Sequence, residues 1–278
     1  MIKLKKILDR FYREYNFNER VPNDPVEFPL RYKNPRDIEV SGFIASCFAY
    51  GKVELFKAAV EKILSVMGTS PYHVLMEFYL KKSGRLFHGI RYRFNENNDI
   101  LSMLFILHHI LKQYESLEAA FKKNYGTGDR DIEKGLAGFI AACLNADTSE
   151  IYGNNVKPRG LLQFFPSPEN RSACKRSNLF LRWMIRDRDI DFGIWKEIPM
   201  NKLIIPLDTH IARISKCLGL TDRKSQDWKT AVEITEALKI FDPEDPVKYD
   251  FALCHHGITG MCKGRKEITV CRKCIFGG

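Results

Sequence analysis

Several features are missing from this chain of 278 residues. No apolar run approaches the ~20 residues that a membrane-spanning helix needs, which excludes a helical membrane protein. No stretch alternates apolar and polar residues convincingly, which argues against a sheet-based fold. There is no internal repeat and no low-complexity linker. The opening Met1-Ile2-Lys3-Leu4-Lys5-Lys6 runs straight into an amphipathic pattern without the apolar core of a signal peptide. A cytoplasmic location, associated with the nucleoid, is therefore expected. Acid is also in short supply: 34 acidic residues face 44 basic ones, a net charge of +10. That balance favours a polyanionic partner, and nucleic acid is the commonest. A soluble protein that is merely basic is the alternative.

Apolar residues make up 45% of the chain, enough for a globular protein with one large core or two lobes. Of the eight cysteines, Cys47, Cys143, Cys174 and Cys217 are scattered among apolar residues and read as small core residues. A reducing compartment argues against a disulfide framework.

The apolar period is helical almost throughout. Ile2, Leu4, Ile7, Leu8, Phe11, Tyr12 and Tyr15 mark one face. A second helix is predicted over 36–50, with Asn34 as N-cap and Pro35 at its start. Gly51 breaks it, and the period resumes over 53–67. Further helices are predicted over 72–82, 98–124, 132–146, 172–187, 209–218, 226–240 and 246–256. Loops are predicted over 18–35, 83–97, 147–170 and 259–278. The expectation is an all-α, single compact protein over 1–278 with two helical lobes. Lobe boundaries are predicted near 125–131 and 147–170, and a basic, cysteine-rich tail over 259–278.

Asp208 stands where Pro206 ends the apolar segment Leu203-Ile204-Ile205 and a helix begins with Ile211, Ile214 and Leu218 on one face. Gly219 closes that helix as a C-cap. Asp208 reads as an N-cap. A carboxylate fixed by helix amides is also suited to stabilising a cation. Lys175 precedes the apolar set Leu179, Phe180, Trp183 and Met184, which places it near the buried side of a first helical turn. There it suits either a nucleophilic amine or a phosphate contact on a basic face.

Cys262, Cys271 and Cys274 form C-x8-C-x2-C, and the C-x2-C pair is a metal-ligand signature. With Cys254 they would make four ligands for an iron–sulfur cluster or Zn2+; His255 or His256 could replace Cys254. Lys263, Arg265, Lys266, Arg272 and Lys273 on this tail suit phosphate contacts.

Pro206-Leu207-Asp208-Thr209-His210-Ile211 resembles the segment after the hairpin of helix-hairpin-helix DNA glycosylases of the endonuclease III kind. His256-Gly257 with Cys262, Cys271, Cys274 and Ile275 resembles their iron–sulfur tail. Gly42-Phe43-Ile44-Ala45-Ser46-Cys47-Phe48-Ala49-Tyr50-Gly51-Lys52 is similar to the early helix and DNA-penetrating turn of 8-oxoguanine glycosylases. The chain as a whole resembles a bacterial family related to that superfamily.

Two departures accompany the resemblance. The Gly-x-Gly hairpin turn before the catalytic lysine is absent, and the last cluster cysteine is missing. Lys175 lies 33 positions before Asp208, a spacing similar to the archaeal 8-oxoguanine glycosylases. The resemblance implies a monomeric DNA glycosylase with AP-lyase activity on double-stranded DNA that carries a damaged base such as 8-oxoguanine. It implies Lys175 as nucleophile, Asp208 as its carboxylate partner, Tyr50 and Lys52 on DNA, Phe48 or Trp183 stacking on the flipped base, and a 4Fe–4S cluster, with zinc as the alternative. Phe48 and Trp183 read equally as core residues. Two rival readings stay open: a non-catalytic nucleic-acid-binding protein on the same scaffold, and a zinc-stabilised helical interaction protein.

Overall fold

In the computed structural model, residues 2–260, 262 and 274–276 are described. They are mostly helical. Among them, extended pairing is confined to the isolated bridges Tyr92↔Asn95 and Ser172↔Asp227. No described helix is long and apolar enough to cross a membrane. The chain divides into two compact units: Met1–Pro22 with Pro168–Gly278, and Asn23–Ser167.

The first unit opens with α1 (Ile2–Glu14), which buries Leu8 and Phe11, and α2 (Phe17–Arg20), capped by the Asn16 side chain. The chain then enters the second unit through short helical turns. There α3 (Pro35–Cys47) starts as predicted, with Pro35 in its first turn and Asn34 accepting from Arg36 N. It ends at Cys47, earlier than expected, because Ala49 and Tyr50 turn away ahead of Gly51 at φ +87. Helix α4 (Val53–Met67) buries Phe56, Ala59, Val60, Ile63, Leu64 and Met67 on one face. Two short helices follow, α5 (Pro71–Met76) and α6 (Leu80–Ser83).

The helix predicted over 98–124 is two helices. Helix α7 (Asn97–Tyr114) opens on a reciprocal cap between Glu96 and Asp99 and ends at Glu115, which is left-handed at φ 67. Ser116 then caps α8 (Leu117–Lys122) by accepting from Ala119 N. The buried Glu39 carboxylate on α3 accepts from Leu117 N at 3.0 Å and Glu118 N at 2.9 Å. A helix started twice over in this way has no reason to continue α7. Helix α9 (Glu133–Leu144) and the short α10 (Ser149–Tyr152) and α11 (Arg159–Leu162) complete the unit. Its core centres on Ile44, Ile63, Leu104 and Leu107, all without exposed surface. Each such side chain contributes about 1.5–3 kcal/mol by leaving water.

Back in the first unit are α12 (Lys175–Ile185), α13 (Thr209–Leu218), α14 (Trp228–Lys239) and α15 (Asp250–Ile258). The start of α12 is later than the predicted residue 172. Ser172 is bridged to Asp227, and Cys174 at φ 48 is left-handed, so the helical path begins only at Lys175. Cys47, Cys143 and Cys174 are buried and Cys217 is half-buried, and none of the four is in a disulfide.

Candidate active site

Asp208 is the N-cap of α13. Its Oδ1 accepts from His210 N and Ile211 N, both at 2.9 Å. Two backbone donors on one oxygen fix the direction of the carboxylate and leave Oδ2 for another partner. That partner is Cys254 Sγ, which donates to Oδ2 at 3.4 Å. Helices α13 and α15 can approach closely because Gly257 has no side chain: a Cβ there would lie 2.7 Å from His210 Cβ. Arg213 adds a donor across the same seam, from Nη2 to Gly257 O at 3.0 Å. His210 is thus packed against the neighbouring backbone, a structural position.

Asp250 lies four residues before Cys254 and shares its face of α15. It is 2% exposed, and its Oδ2 accepts from Arg182 Nη1. On α12, Lys175, Asn178 and Arg182 share one face at i, i+3 and i+7. Burial pushes the Asp250 carboxyl up to about 6; the Arg182 guanidinium opposes this, the Asp208 charge reinforces it and the Lys175 charge opposes it. Lys175 and Asp208 therefore act on the same buried carboxyl. Asp250 Oδ1 and Asn178 Oδ1 have no hydrogen-bond partner, and both residues are buried. Such unsatisfied acceptors are costly and concentrate where a ligand or a reaction needs them.

Behind this cluster lies a charged network. Arg182 Nε donates to Asp191 Oδ1 at 3.2 Å. Arg186, one turn further along α12, binds Asp245 through Nε, Asp191 through Nη1 at 2.9 Å and Asp189 through Nη2 at 2.8 Å. Tyr12 Oη donates to Asp189 at 2.7 Å. Burial pushes the Asp191 carboxyl up, against the pull of both arginines.

The remaining sequence-predicted residues fall into three groups. Phe48 and Trp183 have no exposed surface. Phe48 packs on Tyr92 and Phe164 at ring-centroid distances of 5.7 and 5.4 Å. Each ring is core, so neither presents an open face for a flipped base. Tyr50 is half-buried and donates from Oη to Asn95 Oδ1 at 2.6 Å, while Lys52 is exposed at the start of α4. Lys263, Arg265, Lys266, Cys271, Arg272 and Lys273 lie outside the described residues.

Of the tail's other thiols, Cys262 is buried and Cys274 half-buried. Phe276 anchors this end of the chain, with its ring 5.1 Å from Phe11 and 5.3 Å from His256. Among the described residues, no three His, Cys, Asp or Glu side chains gather as a metal site. Cys254 fits poorly as a fourth ligand, because its thiol is directed at Asp208. The histidine alternative keeps one suitable feature: His256 Nε2 is buried without a partner.

Reading along the sequence missed Asp250, Arg182 and Arg186. Two arginines one turn apart, Arg182 inside the apolar run Leu179–Ile185 and Arg186 directly after it, were the available signal, since cations in a buried face need buried acids.

A family model described as a protein of unknown function (DUF2400) matches residues 24–259, a span that holds Lys175, Asp208, Asp250 and Cys254 and stops short of Cys262. No curated protein and no solved structure matches the chain.

Proposed function

We propose that this chain, which belongs to the DUF2400 family, is a DNA glycosylase with AP-lyase activity, with Lys175 as nucleophile and Asp208 as its carboxylate partner. The observation that carries the reading is that the Lys175 and Asp208 charges both act on the buried Asp250 carboxyl, whose Oδ1 has no hydrogen-bond partner. A carboxylate fixed by helix amides, together with an amine and a buried acid in the same unit, suits proton transfer and the stabilisation of developing positive charge.

In the proposed reaction, the basic surface binds duplex DNA and an extrahelical base is presented to the site. Asp208 accepts a proton from the Lys175 ammonium. The Lys175 amine attacks C1′ as the C1′–N bond breaks, and the base leaves with the bonding electrons and takes up the proton held by Asp208, which returns to the carboxylate. Asp208 Oδ2 stabilises the cationic character at C1′ during this exchange. The sugar ring opens to a Schiff base on Lys175, and loss of a C2′ proton expels the 3′ phosphate. An oxidised purine such as 8-oxoguanine is the first substrate to test, on the strength of the Lys175–Asp208 spacing. The base-stacking groups are not Phe48 and Trp183, which are core.

The proposed metal, a 4Fe–4S cluster or Zn2+, would take Cys262, Cys271 and Cys274 as ligands, with His256 as the fourth in place of Cys254, whose thiol serves Asp208; no step of the reaction passes through it. Elemental analysis and visible absorbance of the purified protein distinguish iron–sulfur from zinc.

Borohydride trapping tests the enzyme reading. Wild-type protein should cross-link to DNA containing 8-oxoguanine or an abasic site, and Lys175→Ala should not. Asp208→Asn keeps a side-chain acceptor for the α13 amides; it should fold and trap at least about a hundredfold more slowly. Steep salt-dependent DNA binding without trapping in any variant would favour a non-catalytic binding protein.

A further inference from the structure

In the unit Asn23–Ser167, the turn Tyr92–Asn95 is held by more polar bonding than its size requires. Tyr92 and Asn95 exchange both backbone hydrogen bonds, at 2.9 and 2.8 Å. Asn95, without exposed surface, accepts from Tyr50 Oη at 2.6 Å and donates from Nδ2 to Gly160 O at 2.7 Å. Tyr92 Oη donates to Tyr50 O. Gly51 permits this closure: at φ +87, a Cβ would lie 2.7 Å from Tyr92 Oη and 2.9 Å from an Arg93 nitrogen.

The network holds Arg93 in the left-handed region at φ 53, a conformation that costs energy for any residue but glycine. Its product is Phe94, 66% exposed, with the Arg93 guanidinium 5.5 Å from the ring centroid. Core stability does not explain a buried polar network that fixes a strained residue and holds an aromatic ring in water.

The segment leading to Phe94 carries one sign of charge, and the nearest acids in sequence, Glu96 and Asp99, serve the cap of α7. From Phe78 to Asn95 there is no Asp or Glu, while Lys81, Lys82, Arg85, Arg91 and Arg93 are all present and exposed. Lys52 follows Gly51, whose backbone lies against Arg93.

We propose that Phe94 stacks on an unpaired nucleobase, in a nucleic acid whose phosphates are held by Arg91, Arg93 and Lys52. The inference rests on the nucleic-acid part of the function proposed above and not on the Lys175 chemistry. An aromatic face accepts any base, cations beside it neutralise the flanking phosphates, and a preset turn loses little entropy on binding. A membrane surface also attracts aromatic and basic groups. It is normally met by a long amphipathic helix, whereas this segment offers only the four-residue α6, the single 3-10 turn Gly84–Phe87 and a rigid tip.

Fluorescence anisotropy on the full-length chain tests this, using a labelled duplex with one abasic site and the same duplex fully paired. Phe94→Ala should weaken binding to the abasic duplex roughly tenfold and to the paired duplex by less than about twofold. Phe94→Tyr should restore it. Circular dichroism should show an unchanged melt for both, since the ring is exposed. Equal binding of wild type and Phe94→Ala to the abasic duplex overturns the proposal. So does an equal loss on both duplexes. Trapping that fails while the Phe94 effect persists removes the lyase reading alone; trapping that succeeds without a Phe94 effect removes this inference alone.

Discussion

The unit Asn23–Ser167 buries aliphatic chains and rings, and its buried acids serve helix ends. Glu39 holds the first amides of α8, Asp37 Oδ1 accepts from Tyr72 N at 2.9 Å at the start of α5, and Asp99 closes the cap of α7. The unit built from Met1–Pro22 and Pro168–Gly278 buries whole charges instead. Arg182 on α12 and Arg186 at its C-cap face Asp191, Asp245 and Asp250, and every one of these side chains is nearly inaccessible. An apolar core of similar volume would hold the helices at least as well, because desolvating ions offsets most of their attraction. The difference therefore points to function in the charged unit: perturbed carboxyls gather at sites that move protons. Lys175, Asp208 and Cys254 belong to that unit, at the edge of the same network. The other unit carries its distinctive chemistry on its surface, at Arg93 and Phe94.

The largest expected effect breaks the charged core. Arg186→Ala leaves Asp191 and Asp245 buried without their shared cation and should cost about 3–5 kcal/mol. Urea denaturation followed by circular dichroism measures it; a loss below about 1 kcal/mol would mean that the network is a solvated surface feature. In the apolar unit, Leu104→Ala should cost about 3 kcal/mol through lost burial and a residual cavity. If that loss exceeds the Arg186 loss, the charged unit is not the more tightly coupled of the two.

The contrast has a pH signature. Asp250 holds its proton to about pH 6 in the folded chain and to about its ordinary 3.8 when unfolded. Between those values the folded state binds more protons than the unfolded state, so this group's contribution to stability declines as pH rises through the window. Asp250→Asn removes the titration. Relative to wild type, the variant should gain on the order of 2 kcal/mol between pH 4 and 6 and nothing beyond. Denaturation at a series of pH values tests it; a flat difference would place the Asp250 pKa near its ordinary value. The smallest effect is Glu39→Gln, which loses the charge at the start of α8 and should cost about 1 kcal/mol. Hydrogen exchange at Leu117 and Glu118 should accelerate; unchanged protection there contradicts the capping role.

Local signals were legible in the sequence where the physics is local. Asn34-Pro35 started α3, and Asp208 and Gly219 bounded α13. The break between α7 and α8 was hidden, because Leu117, Ala120 and Phe121 continue the apolar period across it and Ser116 alone marks it. Long-range pairings were not legible. Helix α1 belongs with the distant C-terminal helices through Tyr249 Oη to Asp9 Oδ1, at 2.5 Å. The thiol of Cys254 belongs with Asp208, 46 positions earlier, although its neighbours in sequence drew it toward the tail cysteines. The acids that neutralise Arg182 and Arg186 lie on separate segments, so only the need for them could be read in advance.

Borohydride trapping on 8-oxoguanine and abasic DNA tests the central claim most directly, with wild type, Lys175→Ala and Asp208→Asn compared at one protein concentration. The account predicts a covalent complex for wild type, none for Lys175→Ala and a slowed one for Asp208→Asn. An undiminished complex in Lys175→Ala, or none in wild type across the lesions, would contradict it.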